Sequence, residues 1–254
     1  VIVLGFDTAT AATAVGLSLA DGSTLQARDD PEGERRPGHA TRLLPLADGL
    51  LLEAGLGWSE LERVAVGVGP GTFTGLRIGV ATARALAQSL EVDLAGVSSL
   101  RALAYGAGER AAVLSVIDAR RGEVFVAGYV GEQEVLAPRA VPPDGMGDLL
   151  ERAASDLAIE QWVALGDGAV RYRDAFGRLG VSVPTDRAEC HRIQATTICE
   201  LGSHLPASPF SRSFAHTDAD PPMAPFASVQ IGEKAVVPDY LRRPDAEVAL
   251  KGVA

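Results

Sequence analysis

The stretch Gly69-Pro-Gly-Thr-Phe-Thr-Gly-Leu-Arg-Ile-Gly79 joins a short β-branched run, Val64–Val68, to a long helical pattern, Thr74–Leu90. A strand that turns through glycines into a helix is the first part of a βαβ crossover, the connection that parallel strands require. The next apolar run, Val92–Val97, supplies the returning strand, and Ser98 or Ser99 caps a further helix to Tyr105. Upstream, Val1–Phe6, Thr13–Leu19 and Ser23–Arg28 follow one another too closely for crossovers, and Asp21-Gly22 marks a turn, so these runs pair antiparallel. A charged loop, Asp29–Gly38, leads into a helix from about His39 to Ala54, closed by Gly55. The order βββαβαβα predicts an α/β fold in which a mixed sheet carries helices on its faces.

After Gly106-Ala107-Gly108 the pattern restarts. Ala112–Ile117 and Val124–Val130 read as strands joined across Asp118-Ala-Arg-Arg-Gly122. They are followed by a helix near Met146–Ser155, a strand at Trp162–Leu165, a helix at Ala169–Arg178, a strand at Val181–Val183 and a helix around Arg192–His204. The expected organisation is a first lobe over 1–106, a smaller α/β lobe over 107–205, a linker or insertion over 206–230, and a tail over 231–254 that docks on the body. Prolines 206, 209, 221, 222 and 225 mark the linker.

The chain has 254 residues, 47% of them hydrophobic and 22% charged, which excludes a disordered or collagen-like protein. Its formal net charge is −10 and its pI near 4.9. A chain whose affinity came from neutralising nucleic-acid phosphates needs a basic segment, and none is present, so direct, tight nucleic-acid binding is not expected. Adhesion to an anionic membrane is disfavoured for the same reason. The longest uncharged runs, Thr8–Ala20 and Val64–Leu76, fall short of the about 20 apolar residues that a spanning helix needs. The opening run Val1-Ile2-Val3-Leu4 has no basic n-region or small-residue cleavage site, so a secretory signal is not expected, and two cysteines, Cys190 and Cys199, make no disulfide framework. A cytoplasmic protein is expected.

Two readings of Gly69–Gly79 are open. Free N–H groups at the start of the following helix, capped by Thr72 or Thr74, suit an anion; a tight strand-to-helix turn needs the same glycines. The spacing is neither a Walker loop nor G-x-G-x-x-G. Asp7 and Asp118 each end a strand, and Thr8 and Thr10 follow the first, so acid–base or phosphate-facing roles compete with simple Asx turns. His39, His191, His204 and His216 form no H-x-x-x-H or H-E-x-x-H pattern, so no metal site is expected. Along the helix, Gly75, Gly79, Ala83 and Ala87 recur every four residues and make a stripe that another helix could approach closely. Leu43, Leu44, Leu46, Leu50, Leu51 and Leu52 exceed a one-sided apolar face on the helix before it. Both observations point to a subunit interface, against packing within the chain.

At Asp7-Thr-Ala-Thr10, His39-Ala-Thr-Arg-Leu-Leu-Pro45, Gly69–Gly79, Val97-Ser-Ser-Leu100 and Asp118-Ala-Arg-Arg-Gly-Glu-Val124 the chain resembles the TsaB (YeaZ) family. The resemblance runs from residue 1 to about 130 and returns at Tyr240-Leu-Arg-Arg-Pro244; G-P-G-T-F-T-G-L-R-I-G is its most specific string. It implies the actin-like ATPase fold of sugar kinases, heat-shock chaperones and actin, with two lobes. It implies an accessory subunit in the formation of N6-threonylcarbamoyladenosine at position 37 of tRNAs reading A-starting codons. Its partners would be the catalytic subunit TsaD, which carries the metal-binding histidines, the ATPase TsaE, and a second copy of itself when alone, with tRNA met only through the complex. A TsaC-type enzyme would supply the threonylcarbamoyl-adenylate.

By this resemblance the interface comprises His39, Leu43, Leu44, Leu46, Leu50, Thr74, Gly75, Arg77, Ile78, Gly79, Thr82, Ala83 and Ala87. A degenerate nucleotide site would comprise Asp7, Thr8, Thr10, Gly69, Gly71, Thr72 and Asp118. No catalytic residue and no required cofactor is assigned, with ATP or ADP placed at a partner interface. The alternative is a stand-alone small-molecule kinase or ATPase of the same fold; a peptidase reading would rest only on an older family label.

Overall fold

The computed structural model describes residues 1–31, 35–108, 112–205, 236 and 238–241. Its first sheet contains β1 (Val3–Asp7), β2 (Thr13–Ser18), β3 (Thr24–Asp29), β4 (Arg63–Gly69) and β5 (Asp93–Ser98), in the order β3-β2-β1-β4-β5. The two hairpins are antiparallel, with Asp7 opposite Ala14 and Thr13 opposite Asp29, whereas β1–β4 and β4–β5 are parallel. Helix α1 (His39–Glu53) leads into β4, which lies beside β1; α2 (Phe73–Leu90) leads into β5, which lies beside β4; and α3 (Ser99–Tyr105) follows β5. Ser98 caps α3 as expected, its hydroxyl accepting from the Arg101 N–H at 3.3 Å.

The second sheet repeats the beginning of the first. It contains β6 (Val113–Arg120), β7 (Glu123–Val130), β8 (Gln133–Val141) and β9 (Val163–Leu165) in the order β8-β7-β6-β9, with β9 parallel to β6. An antiparallel meander extended by a parallel strand, occurring twice with helices on both sides, is the actin-like ATPase fold. Helices α4 (Gly147–Leu157), α5 (Asp167–Arg171), α6 (Arg173–Arg178) and α7 (Ala195–His204) complete the described elements.

Alternation along the strands decides which helix lies where. Leu4 and Phe6 of β1 face Leu43, Leu50 and Leu51 of α1 and Val80 and Ala83 of α2. Val3, from the opposite face, shares a cluster with Ile198 and Cys199 of α7, with Leu100 and Leu103 of α3, and with Val113, Ile117 and Phe125 of the second sheet. Thus α1 and α2 lie side by side on one face of the first sheet, and the two sheets share a core through the other. Leu114, Val116, Val124 and Val126 look the opposite way, onto Met146, Leu150 and Phe176.

Four expectations change. β8 is an additional strand, at the sheet edge, where Pro138 costs no ladder bond. The helix expected over Ala169–Arg178 is broken at Tyr172 into α5 and α6. Val181–Val183 contributes only a bridge between Ser182 and Val163. Finally, α7 begins at Ala195, because Arg192 and the N-cap Gln194 are extended. The proline-rich segment lies outside the described residues, as does the tail apart from 236 and 238–241. Among the described residues no helix is long and apolar enough to cross a membrane.

Candidate functional site

The end of β1 and the start of α2 are built against each other. Asp7 is 1% exposed. Its Oδ2 accepts from the Ser99 hydroxyl at 2.6 Å and its Oδ1 from the Ala9 N–H at 2.8 Å. A side chain at Gly67 would overlap the Asp7 carboxylate, so glycine there is what leaves room for the acid. Burial pushes the Asp7 carboxyl above its ordinary range, and the bonds from Ser99 and Ala9 offset this only in part.

A folded carboxyl with a raised value favours folding below the unfolded value of 3.8 and loses that contribution as pH rises through the folded one. Ionising this carboxyl therefore works against folding. Asp7→Asn keeps an acceptor for the Ala9 N–H and removes the charge. It is expected to favour the folded state more at pH 7 than at pH 3, so that its melting temperature relative to wild type rises with pH; a difference that is the same at both pH values would contradict this.

Thr8 is buried and its hydroxyl donates to the Gly75 carbonyl at 2.7 Å. Thr10, half-buried, accepts weakly from the Ala12 N–H. Thr72 is the N-cap residue of α2, yet its side chain makes no capping bond; its N–H donates to the Ala9 carbonyl at 2.7 Å. A side chain at Gly71 would meet Ala9, and Gly69 lies buried against Leu76. The loop after β1 therefore covers the start of α2. Backbone of the same chain, the Ala9 carbonyl above all, stands against Gly71 and Thr72, as in a tight strand-to-helix turn.

Asp118 lies near the end of β6 in the second sheet. Its Oδ1 accepts from the Arg120 N–H, while Oδ2 pairs with Arg120 at 3.2 Å and with Arg171 at 3.4 Å. The Asp118 N–H donates to Asp167 Oδ1 at 3.1 Å. Asp167 escaped the sequence reading. Its only signal is the Gly-Asp-Gly turn after β9, and burial pushes its carboxyl up. Asp7 and Asp118 thus belong to different sheets, and each is held by its own neighbours.

The described histidines are dispersed. His39 is buried and shares a 2.9 Å hydrogen bond with Thr13, and burial lowers its pKa. His191 Nδ1 accepts from the Gly166 N–H, and His204 sits at the end of α7. Cys199 is buried, its thiol pushed up to about 12.

The expected interface residues divide in two. His39, Leu43, Leu50, Gly75, Gly79, Ala83 and Ala87 are buried within the chain. The small-residue stripe is an internal fit. A side chain at Gly75 would strike the Thr8 carbonyl, one at Gly79 the Thr8 hydroxyl, and Ala83 and Ala87 fill the core beneath α2. Leu44, Thr74 and Arg77 are exposed, and Leu46, Ile78 and Thr82 are half-buried. The outward sides of α1 and α2 also carry Leu52, 80% exposed, and the exposed Ala81 and Ala85. From Ile78 to Leu90 the exposed positions of α2 carry no charge, and Leu44 on α1 is 44% exposed.

The family model for TsaD, described as tRNA N6-adenosine threonylcarbamoyltransferase, matches residues 33–215. The tRNA threonylcarbamoyladenosine biosynthesis protein TsaB of Escherichia coli is 31% identical over 174 residues, which cover 65% of this chain and 71% of that one. A Mycobacterium leprae protein is 41% identical over 145 residues, and the chain spans only 39% of its length. Among solved structures, a Pseudomonas aeruginosa protein described as similar to the peptidase YeaZ superposes with a TM-score of 0.65 at 30% identity, covering 80% of this chain and 90% of that one.

Proposed function

The chain belongs to the TsaB (YeaZ) family, and from that premise we propose that it is a non-catalytic subunit in the formation of N6-threonylcarbamoyladenosine at position 37 of tRNA. It docks on a TsaD-type catalytic subunit through the outward sides of α1 and α2. The observation that carries this reading is the pair of adjacent helices whose outer positions include Leu44, Leu52, Ala81 and Ala85. Covering a side chain such as Leu52 is worth about 1.5–3 kcal/mol, so a few such positions suffice to hold a partner.

The chemistry of the acids fits a supporting role. Asp7 is enclosed by Ser99, Ala9 and Gly67, and Asp118 is paired by two arginines, so neither presents a free carboxylate to a substrate. The net charge of −10 assigns the main grip on tRNA to other subunits. In this reading the chain needs no cofactor, ATP or ADP binds at a partner interface, a TsaE-type ATPase joins the complex, and a second copy covers the same face when the catalytic subunit is absent. Reconstitution of tRNA modification from purified components, with and without this chain, tests it.

A further inference from the structure

Five described tail residues cross the N-terminal end of α2. Val236 is buried in the core beneath α1 and α2, beside Gly96. The pairing of β4 with β5 steps from Gly67 to Gly69, leaving Val68 outside the ladder, and the Asp239 N–H donates to the Val68 carbonyl at 2.6 Å. Leu241 packs against the core shared by the two sheets. Between these anchors the Tyr240 ring lies 5.2 Å from the Phe73 ring, centroid to centroid. The Arg77 guanidinium stands 3.8 Å above the Phe73 ring, and its Nε donates to the Tyr240 hydroxyl at 3.4 Å.

The tail therefore holds an exposed arginine in place. Among the described residues, Arg77 pairs with no carboxylate, although the chain as a whole is strongly acidic. The first turn of α2 contains no acid, so the positive end of the helix dipole adds to the guanidinium. A stacked guanidinium presents its N–H groups in a fixed fork that suits a carboxylate, and the entropy cost of ordering it is already met before binding. Arginine and tyrosine are also the side chains that dominate binding energy at protein interfaces.

We infer that Tyr240 and Phe73 position Arg77 as a charged anchor of the docking face, and that its counterpart is an acidic side chain on the partner protein. The inference rests on the docking reading above and extends it, making the tail part of the binding surface. Arg77 is the binding residue; Tyr240 acts through it.

The test uses the full chain and a TsaD-type subunit in titration calorimetry at low and high salt, with thermal melting of every variant. Arg77→Glu is expected to weaken binding about a hundredfold. Arg77→Lys, which keeps the charge and loses the fork, and Tyr240→Ala, which frees the guanidinium, should each cost about tenfold. Tyr240→Phe should bind nearly as wild type, and the wild-type affinity should fall with salt more steeply than that of Arg77→Glu. The inference is overturned if Arg77→Glu and Tyr240→Ala bind as wild type. It is equally overturned if Arg77→Glu spares subunit binding and instead abolishes salt-sensitive binding of tRNA by the chain. A wild-type chain with no affinity for the subunit would remove the docking reading itself, and this extension with it.

Discussion

Leu52→Arg and Ala85→Arg, introduced together, are expected to weaken binding of a TsaD-type subunit at least a hundredfold while leaving the melting temperature of the chain within a few degrees of wild type. Both side chains point away from the body, Leu52 with 80% of its surface exposed, so neither change removes a packing contact. In a complex, two guanidinium groups would be pressed against apolar surface without partners. A single unpaired buried charge costs several kcal/mol, and a hundredfold in affinity needs only about 2.8 kcal/mol. Calorimetric titration alongside thermal melting separates the two effects. Unchanged affinity would place the docking face elsewhere.

The opposite result is expected one face away. Gly75→Val should destabilise the chain by about 3 kcal/mol or more. The first added carbon would overlap the Thr8 carbonyl oxygen and crowd the Thr72 hydroxyl, and the helix cannot withdraw because Leu76 and Val80 are set in the core. Gly49 on α1 is the internal control: nothing lies within 4 Å of a side chain there, so Gly49→Ala should stabilise by about 0.5–1 kcal/mol. Urea unfolding of both variants measures the contrast. Similar midpoints for the two would mean that the start of α2 is not held by the loop after β1.

These two expectations also mark where sequence stops being informative. The period of Gly75, Gly79, Ala83 and Ala87 signals that something approaches α2 closely, and this is true of the fold. It says nothing about what approaches, and the neighbour is the chain's own Thr8, far away in sequence and invisible to any local pattern. The leucine surplus on α1 was more informative, because a helix with Leu43, Leu44, Leu46, Leu50, Leu51 and Leu52 cannot bury all of them against one sheet, and Leu44 and Leu52 are the excess.

The first sheet was legible because its strands are short apolar runs with β-branched residues, set off by turn residues such as Asp21-Gly22 and Gly69. β8 was not, since an edge strand carrying Glu134, Pro138 and Arg139 resembles a loop. Asp167 could not be nominated, because its burial depends on the Asp118 backbone in a strand far away in sequence. The place of Tyr240 follows from a single bulge in β4, which frees the Val68 carbonyl for the tail, and no periodicity announces it.

The most direct measurement is the rate of threonylcarbamoyl transfer to tRNA in a reaction rebuilt from a TsaD-type subunit, its ATPase partner, threonylcarbamoyl-adenylate and this chain. Modification should require the chain, should be lost with the Leu52→Arg, Ala85→Arg double variant, and should survive Asp7→Asn. Modification at an undiminished rate without the chain, or transfer by the chain alone that Asp7→Asn abolishes, would contradict a supporting, non-catalytic role.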